Sequence, residues 1–189
     1  MLSQYTLDII RVISDKQGTG LTINQISKLI KKSYFFTNQL VRKMIRSELL
    51  TKRIIGHSIL CFLNQKNEET AGLLIMDSII KKKNFEKSAE KDSGIRSLIM
   101  ESNRLFNYLG YEKETILNSA FIYKDCLFLL SNNSLELHTE INNFLGLHNT
   151  KESGLVIKII EPDDLKKKYQ NSVILHGREY FWKKILELK

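Results

Sequence analysis

Apolar positions along the first third of the chain follow a helical period that gives way to two short strand-like runs. Leu7, Ile10 and Ile13, with Tyr5 and Ile9 beside them, predict an amphipathic helix over 3–15. Gln17-Gly18-Thr19-Gly20 ends it. Leu21-Thr22-Ile23 supplies a short strand and Thr22 or Asn24 a helix cap; Ile26, Leu29 and Ile30 then mark the apolar side of a second short helix. After Lys31-Lys32, Ser33 stands where the N-cap of a third helix belongs. At about 100° per residue, that helix gathers Thr37, Leu40, Val41, Met44 and Ile45 on one side. Phe35, Gln39, Arg42 and Arg46 fall opposite, with Asn38 at the edge. Strand-like runs over 51–55 and 58–63, with Gly56-His57 as the tip between them, predict a β-hairpin.

Beyond the hairpin, Leu73, Leu74, Met76, Ile79 and Ile80 mark a helix over 67–83, and residues 81–94 (KKKNFEKSAEKDSG) carry too little apolar content for a core and read as a linker or a frayed end. A helix follows from Ile95. Strands are expected at 116–123, 126–130, 155–160 and 173–175, with helices at 136–144, 162–169 and 178–188. The fold class is therefore α+β. Residues 1–65 read as a winged helix-turn-helix, 66–94 as a helix and linker, and 95–189 as a small α/β domain.

Charge sharpens this picture. Residues 1–65 hold ten Lys/Arg against three Asp/Glu, a net of +7, so nearly all of the formal +8 lies in one third of the chain. That is the footprint of an anion-binding module. The outward face of the third helix offers side chains that read base edges: Arg to guanine, Asn or Gln to adenine, an apolar ring to a thymine methyl. The candidate DNA-binding residues are Lys31, Lys32, Ser33, Tyr34, Phe35, Asn38, Gln39, Arg42 and Arg46, with Lys52, Arg53 and His57 on the hairpin. A basic solvated helix face is the alternative reading. Tyr34 and Phe35 either meet a partner or pack on the second helix, and His57 either reaches a groove or is a plain turn residue. The apolar stripe over 73–80 is either a dimer seam or a helix packed on its own hairpin.

Catalytic signals are weak. The chain has no G-x-S-x-G, no Walker A lysine and no Cys/His pair at metal spacing, so no catalytic residue, metal or cofactor is assigned. Asp163-Asp164 and Glu179 suit helix starts. His138 and His176, in apolar surroundings, read as core or boundary residues, and Cys61 and Cys126 as packed, reduced thiols of a cytoplasmic protein. No apolar run approaches the ~20 residues needed to span a bilayer. The N-terminal segment carries acidic residues within its periodicity and no small-residue cleavage site, so it does not read as a secretion signal.

The run SYFFTNQLVRKMIRSELLTKRIIGHSILCFLN resembles the winged-helix half of archaeal proteins in which such a domain precedes a minimal nucleotidyltransferase fold; regulators of the MarR and ArsR type share its shape. The run VIKIIEPDDLKKKYQNSVILHGREYFWKKIL resembles the end of that second domain. Active members carry a Gly-Ser signature and then two alternating carboxylates that hold a divalent ion. Here Asp125 matches the first carboxylate, Leu127 stands at the second, and no Gly-Ser precedes them. The resemblance thus implies a degenerate nucleotidyltransferase-like domain kept for dimerisation, ligand sensing or partner binding. The expected function is a homodimeric transcriptional regulator bound to double-stranded DNA. The alternatives are a surviving nucleotidyltransferase and a winged-helix protein-interaction scaffold.

Overall fold

A computed structural model describes residues 3–16, 19–110, 116–148, 156–167 and 172–187. It is a mixed α+β protein with two sheets. The chain divides into two compact units, one up to Asp77 and the other from Ser78. Among the described residues no helix is long and apolar enough to cross a membrane.

The first unit contains α1 (Gln4–Ser14), β1 (Leu21–Thr22), α2 (Ile23–Leu29), α3 (Tyr34–Arg46), β2 (Leu50–Ile55), β3 (Ser58–Leu63) and the start of α4 (Glu68–Ser88). Its sheet is antiparallel in the order β1-β3-β2, with Leu21 opposite Cys61 and Leu50 opposite Leu63. Ile9, Ile10 and Ile13 of α1, Ile26 of α2, Val41 and Met44 of α3 and Leu63 of β3 bury the expected apolar faces. Leu29 departs from expectation: it is 50% exposed, because α2 ends there and its last turn has passed the edge of the core. Leu40 and Ile45, expected on the core side of α3, are half-buried.

One tie in this unit is invisible in sequence. Arg11 of α1 donates through Nε to Asp77 Oδ1 at 2.8 Å, and its Nη2 bonds the same oxygen. Asp77 is buried, and the charge-assisted bonds raise the Arg11 pKa still further above neutrality.

The second unit holds the rest of α4, α5 (Ser93–Leu109), β4 (Ser119–Tyr123), β5 (Cys126–Leu130), α6 (Ser134–His148), β6 (Val156–Ile160), a 3₁₀ turn (Pro162–Lys167), β7 (Val173–His176) and α7 (Arg178–Glu187). Its sheet runs β6-β5-β4-β7, with β5 and β6 parallel and the other pairs antiparallel. Strand alternation sends Ala120, Ile122, Leu127 and Leu129 to one face, into a core shared with Leu105 of α5 and Phe144 of α6. Phe121 and Phe128 go to the other face, where they stack at 5.3 Å and meet Phe181 of α7. A sheet covered on both faces explains why β4 and β5 read as continuous apolar runs.

Several expectations change here. Of the two readings of 81–94, the helix end holds over the linker: α4 continues to Ser88 and only a short turn precedes α5. Asp92 caps α5 by accepting from the backbone N–H of Gly94 and Ile95 at 2.8 and 3.2 Å. The strand expected from residue 116 begins at Ser119, and the helix expected after Pro162 is 3₁₀. His138 is exposed on α6 rather than in the core, while His176 is half-buried beside Phe106 at 6.1 Å. The expected ends at Gln17-Gly18, Leu155, Tyr169 and Leu188 lie outside the described residues.

Both cysteines are free thiols, Cys61 buried and Cys126 half-buried, so only the first is packed as expected. Burial pushes the Cys61 pKa up to about 11, because a thiolate there would lose its hydration. Folding therefore favours the protonated thiol. That contribution is fully present below the free thiol's pKa and lost as pH rises through about 11. A disulfide-exchange reagent at neutral pH is expected to label Cys126 quickly and Cys61 only after denaturant is added. Rapid labelling of both in the folded protein would show that β3 is not packed as described.

Candidate nucleic-acid interface

The α2–α3 pair is fixed by its caps. Thr22 Oγ1 accepts from the Gln25 backbone N–H at 3.2 Å while Gln25 Oε1 accepts from the Thr22 N–H at 2.8 Å, a reciprocal box that starts α2. The connecting turn places Lys31 at φ +55, and the Lys32 N–H closes it onto the Ser27 carbonyl at 3.0 Å. Ser33 then caps α3, its Oγ accepting from the Phe36 N–H at 3.3 Å. Ser33 is thus a positioning residue, consistent with its expected place at the helix start.

With its start fixed, α3 turns Thr37, Val41 and Met44 inward and leaves Tyr34, Phe35, Gln39, Arg42, Lys43 and Arg46 exposed. Phe35 is 70% and Tyr34 54% exposed, so neither is buried against α2. From Tyr34 to Arg46 the exposed face runs roughly 18 Å at 1.5 Å per residue. Asn38 sits at the margin, half-buried, and its Oδ1 accepts from Arg42 Nε at 3.0 Å. That bond holds the guanidinium along the helix.

Lys43 belongs to this face although the sequence-derived set omits it. It lines the same surface as Gln39, Arg42, Arg46 and Ser47, and its four-residue spacing from Gln39 was the available signal. Phe36 was also missed. It turns back toward α1, where its ring meets Tyr5 edge-on at 5.2 Å. Lys32 Nζ lies 4.7 Å from the same Tyr5 ring, a cation–π contact that orders an otherwise exposed lysine.

The hairpin supplies the second wall. Cross-strand partners share a face, so Lys52 opposite Cys61 and Ile54 opposite Ile59 lie on the side turned toward α3. Ile23, Arg42, Ile45, Arg46, Lys52 and Ile59 line a groove of about 360 Å³ between helix and hairpin. Arg53 lies on the opposite face of the hairpin, its guanidinium 5.1 Å from the Phe62 ring centroid. The two hairpin cations, expected to act together, are thus divided: Lys52 joins Arg42 and Arg46, and Arg53 does not. His57 is exposed in the two-residue turn, where Gly56 supplies the positive φ (+57) that this hairpin geometry requires.

The groove is lined by cations and apolar side chains, while Lys52 also borders a second hollow lined by Glu48, Glu68 and Glu69. Arg11, Lys82, Arg104 and Lys184 each have a carboxylate partner within 4.0 Å. Among the described residues, Lys31, Arg42, Lys43, Arg46 and Lys52 have none. No carboxylate lines the groove. On the exposed face of α3, Gln39, Arg42 and Arg46, with Asn38 at its margin, offer amides and guanidiniums able to donate to base edges or phosphates.

Among its described residues the second unit offers no comparable centre. Asp125, the candidate match to a catalytic carboxylate, sits exposed with Lys124 in the β4–β5 turn, both at positive φ (+59 and +47). Its side chain therefore leaves the sheet at the tip rather than alternating along a strand. No group of three or more His, Cys, Asp or Glu able to hold a metal occurs among the described residues. Compared with known protein families, characterised proteins and solved structures, the chain matches none.

Proposed function

We propose that the first unit is a winged helix-turn-helix that binds double-stranded DNA, and that the chain acts as a transcriptional regulator. In this reading α3 is the recognition helix in the major groove and the β2–β3 hairpin is the wing along the backbone. The carrying observation is that Arg42, Arg46 and Lys52 line one groove with no carboxylate among its lining residues, with Lys43 exposed beside Arg42 and Arg46 on α3. Gln39, Arg42 and the Asn38 amide would read bases; Lys31, Lys32, Arg46 and Lys52 would hold phosphates. Arg53 is left to the outer side of the wing.

One winged helix reads a short half-site, so the regulator would act as a homodimer. The second unit would pair the copies as a degenerate nucleotidyltransferase-like domain.

Fluorescence anisotropy of labelled duplexes titrated with the full chain at several salt concentrations tests the reading. The affinity is expected to fall steeply and linearly in log–log form as salt rises, because each neutralised phosphate releases counterions. Binding that is absent, or indifferent to salt, would remove DNA as the ligand. Sedimentation across the same concentrations should give twice the monomer mass; a strict monomer would contradict the paired half-site.

A further inference from the structure

Two buried donors of the second unit lack acceptors. Among the described residues, Arg178 Nε and Trp182 Nε1 are buried side-chain nitrogens that make no hydrogen bond. They stand four residues apart on α7 and so share one face of that helix. Helical side chains lean toward the N-terminus, which brings the Trp182 indole, 5% exposed, over the turn that Arg178 opens. Buried polar groups are as a rule hydrogen-bonded, and two orphans side by side ask for one explanation.

Charge at this point has the matching sign. The Arg178 guanidinium is permanently ionised, and among the described residues it has no carboxylate within 4.0 Å. It lies in the first turn of α7, where the helix dipole favours anions over cations. Gly177 starts that turn and, having no side chain, caps none of its N–H groups. Glu179 is exposed and projects about 100° round the helix from Arg178. Moreover β5, β6 and β7 run the same way, so α7 begins at their carboxyl edge. That is the edge at which open α/β sheets take their ligands.

We propose that Arg178 and Trp182 form a binding site for the carboxylate of a small molecule, one oxygen accepting from the guanidinium and the other from the indole N–H. The site belongs to the second unit alone and stands independently of the DNA-binding reading. Donors without acceptors select an acceptor-only group, and one guanidinium at a helix start balances about one negative charge. A phosphate would bring further oxygens, to which the buried neighbours Phe181 and Ile185 offer no side-chain donor.

Trp182 is the single tryptophan of the chain, so its emission reads the site directly. Sodium acetate and propionate, titrated into the full chain at constant ionic strength, are expected to change that emission saturably. At saturation they should also raise the melting midpoint by several degrees. Arg178→Met should lose about tenfold or more in carboxylate affinity. Its ligand-free melt should match or exceed the parent's, because the guanidinium has no partner to lose. Trp182→Phe, followed by the melt, should shrink the acetate-induced rise. No saturable response of the parent to either acid would overturn the site. So would an equal response in Arg178→Met, or a ligand-free midpoint lowered by many degrees in that variant. Saturation by inorganic phosphate with none by the two acids would overturn the assignment to a carboxylate.

Discussion

An Arg42→Ala/Arg46→Ala variant is expected to bind duplex DNA about a hundredfold or more weakly, at about 1–3 kcal/mol for each base or phosphate interaction removed. The log–log salt slope should also fall, by about one for each phosphate that is no longer neutralised. Stability should hardly change. Both side chains are exposed, neither has a carboxylate partner, and alanine is at least as good a helix former as arginine. What disappears structurally is the Arg42–Asn38 hydrogen bond on the helix surface, worth a few tenths of a kcal/mol in such i,i+4 pairs. Anisotropy titration and a thermal melt on the same sample separate the two effects. A melt lowered by many degrees would mean that these arginines support the fold, and the functional argument from their unpaired charge would fail.

The largest expected loss of stability lies in the second unit, at Gly177→Ala. Gly177 has φ +65, and a Cβ built there would lie 2.0 Å from the Asn118 carbonyl oxygen and 2.8 Å from Ser119 Cα. Both obstacles are backbone at the start of β4. They cannot retreat without disturbing the β4–β7 pairing of Ala120 with His176 and the Ser119 Oγ bond to the His176 carbonyl at 2.9 Å. The Gly177 carbonyl also accepts from the Phe181 N–H at 2.9 Å, so the same residue starts α7. Positive φ and steric overlap act together, and a cost of about 3–5 kcal/mol is expected, the exceptional end of single substitutions. For a chain of this size that shifts the melting midpoint by roughly 10 °C. Trp182, buried on α7 one turn beyond, reports the transition by fluorescence. A midpoint within a degree or two of the parent would show that the β7–α7 junction has room there.

The faces of α3 follow from a single period: Thr37, Val41 and Met44 inward, Gln39, Arg42 and Arg46 outward. Ser33 as cap and Gly56-His57 as turn are equally local, and they stand where short-range chemistry puts them. Whether Leu29 would be covered depended on where the core ends, which a period does not encode. The division of Lys52 from Arg53 was available in principle, since neighbouring strand residues point apart. The exposure of Ile54 and Ile55 was not, because the hairpin outruns the core and alternation carries no record of where the core stops.

Residues 81–88 raise another point. Their sparse apolar content argued for a linker or a frayed helix end, yet Lys and Glu are strong helix formers. A solvated helix needs little burial to persist. Phe85 against the core, with the Lys82–Glu86 pair at 3.7 Å, extends α4 through the stretch. The Arg11–Asp77 pair joins residues 66 positions apart and leaves no local trace. Asp125 stands at the exposed tip of the tight Lys124-Asp125 turn, where the shortness of the segment between the two strand-like runs puts it.

Hydrogen–deuterium exchange of the full chain, with and without a saturating duplex, addresses the central claim most directly, because it locates the bound face without relying on any substitution. DNA should slow exchange in the α2–α3 turn, along α3 from Tyr34 to Arg46 and in the β2–β3 hairpin, while the β4–β7 sheet of the second unit keeps its rates. Protection confined to the second unit, with α3 and the hairpin unchanged, would contradict the assignment of that face to DNA.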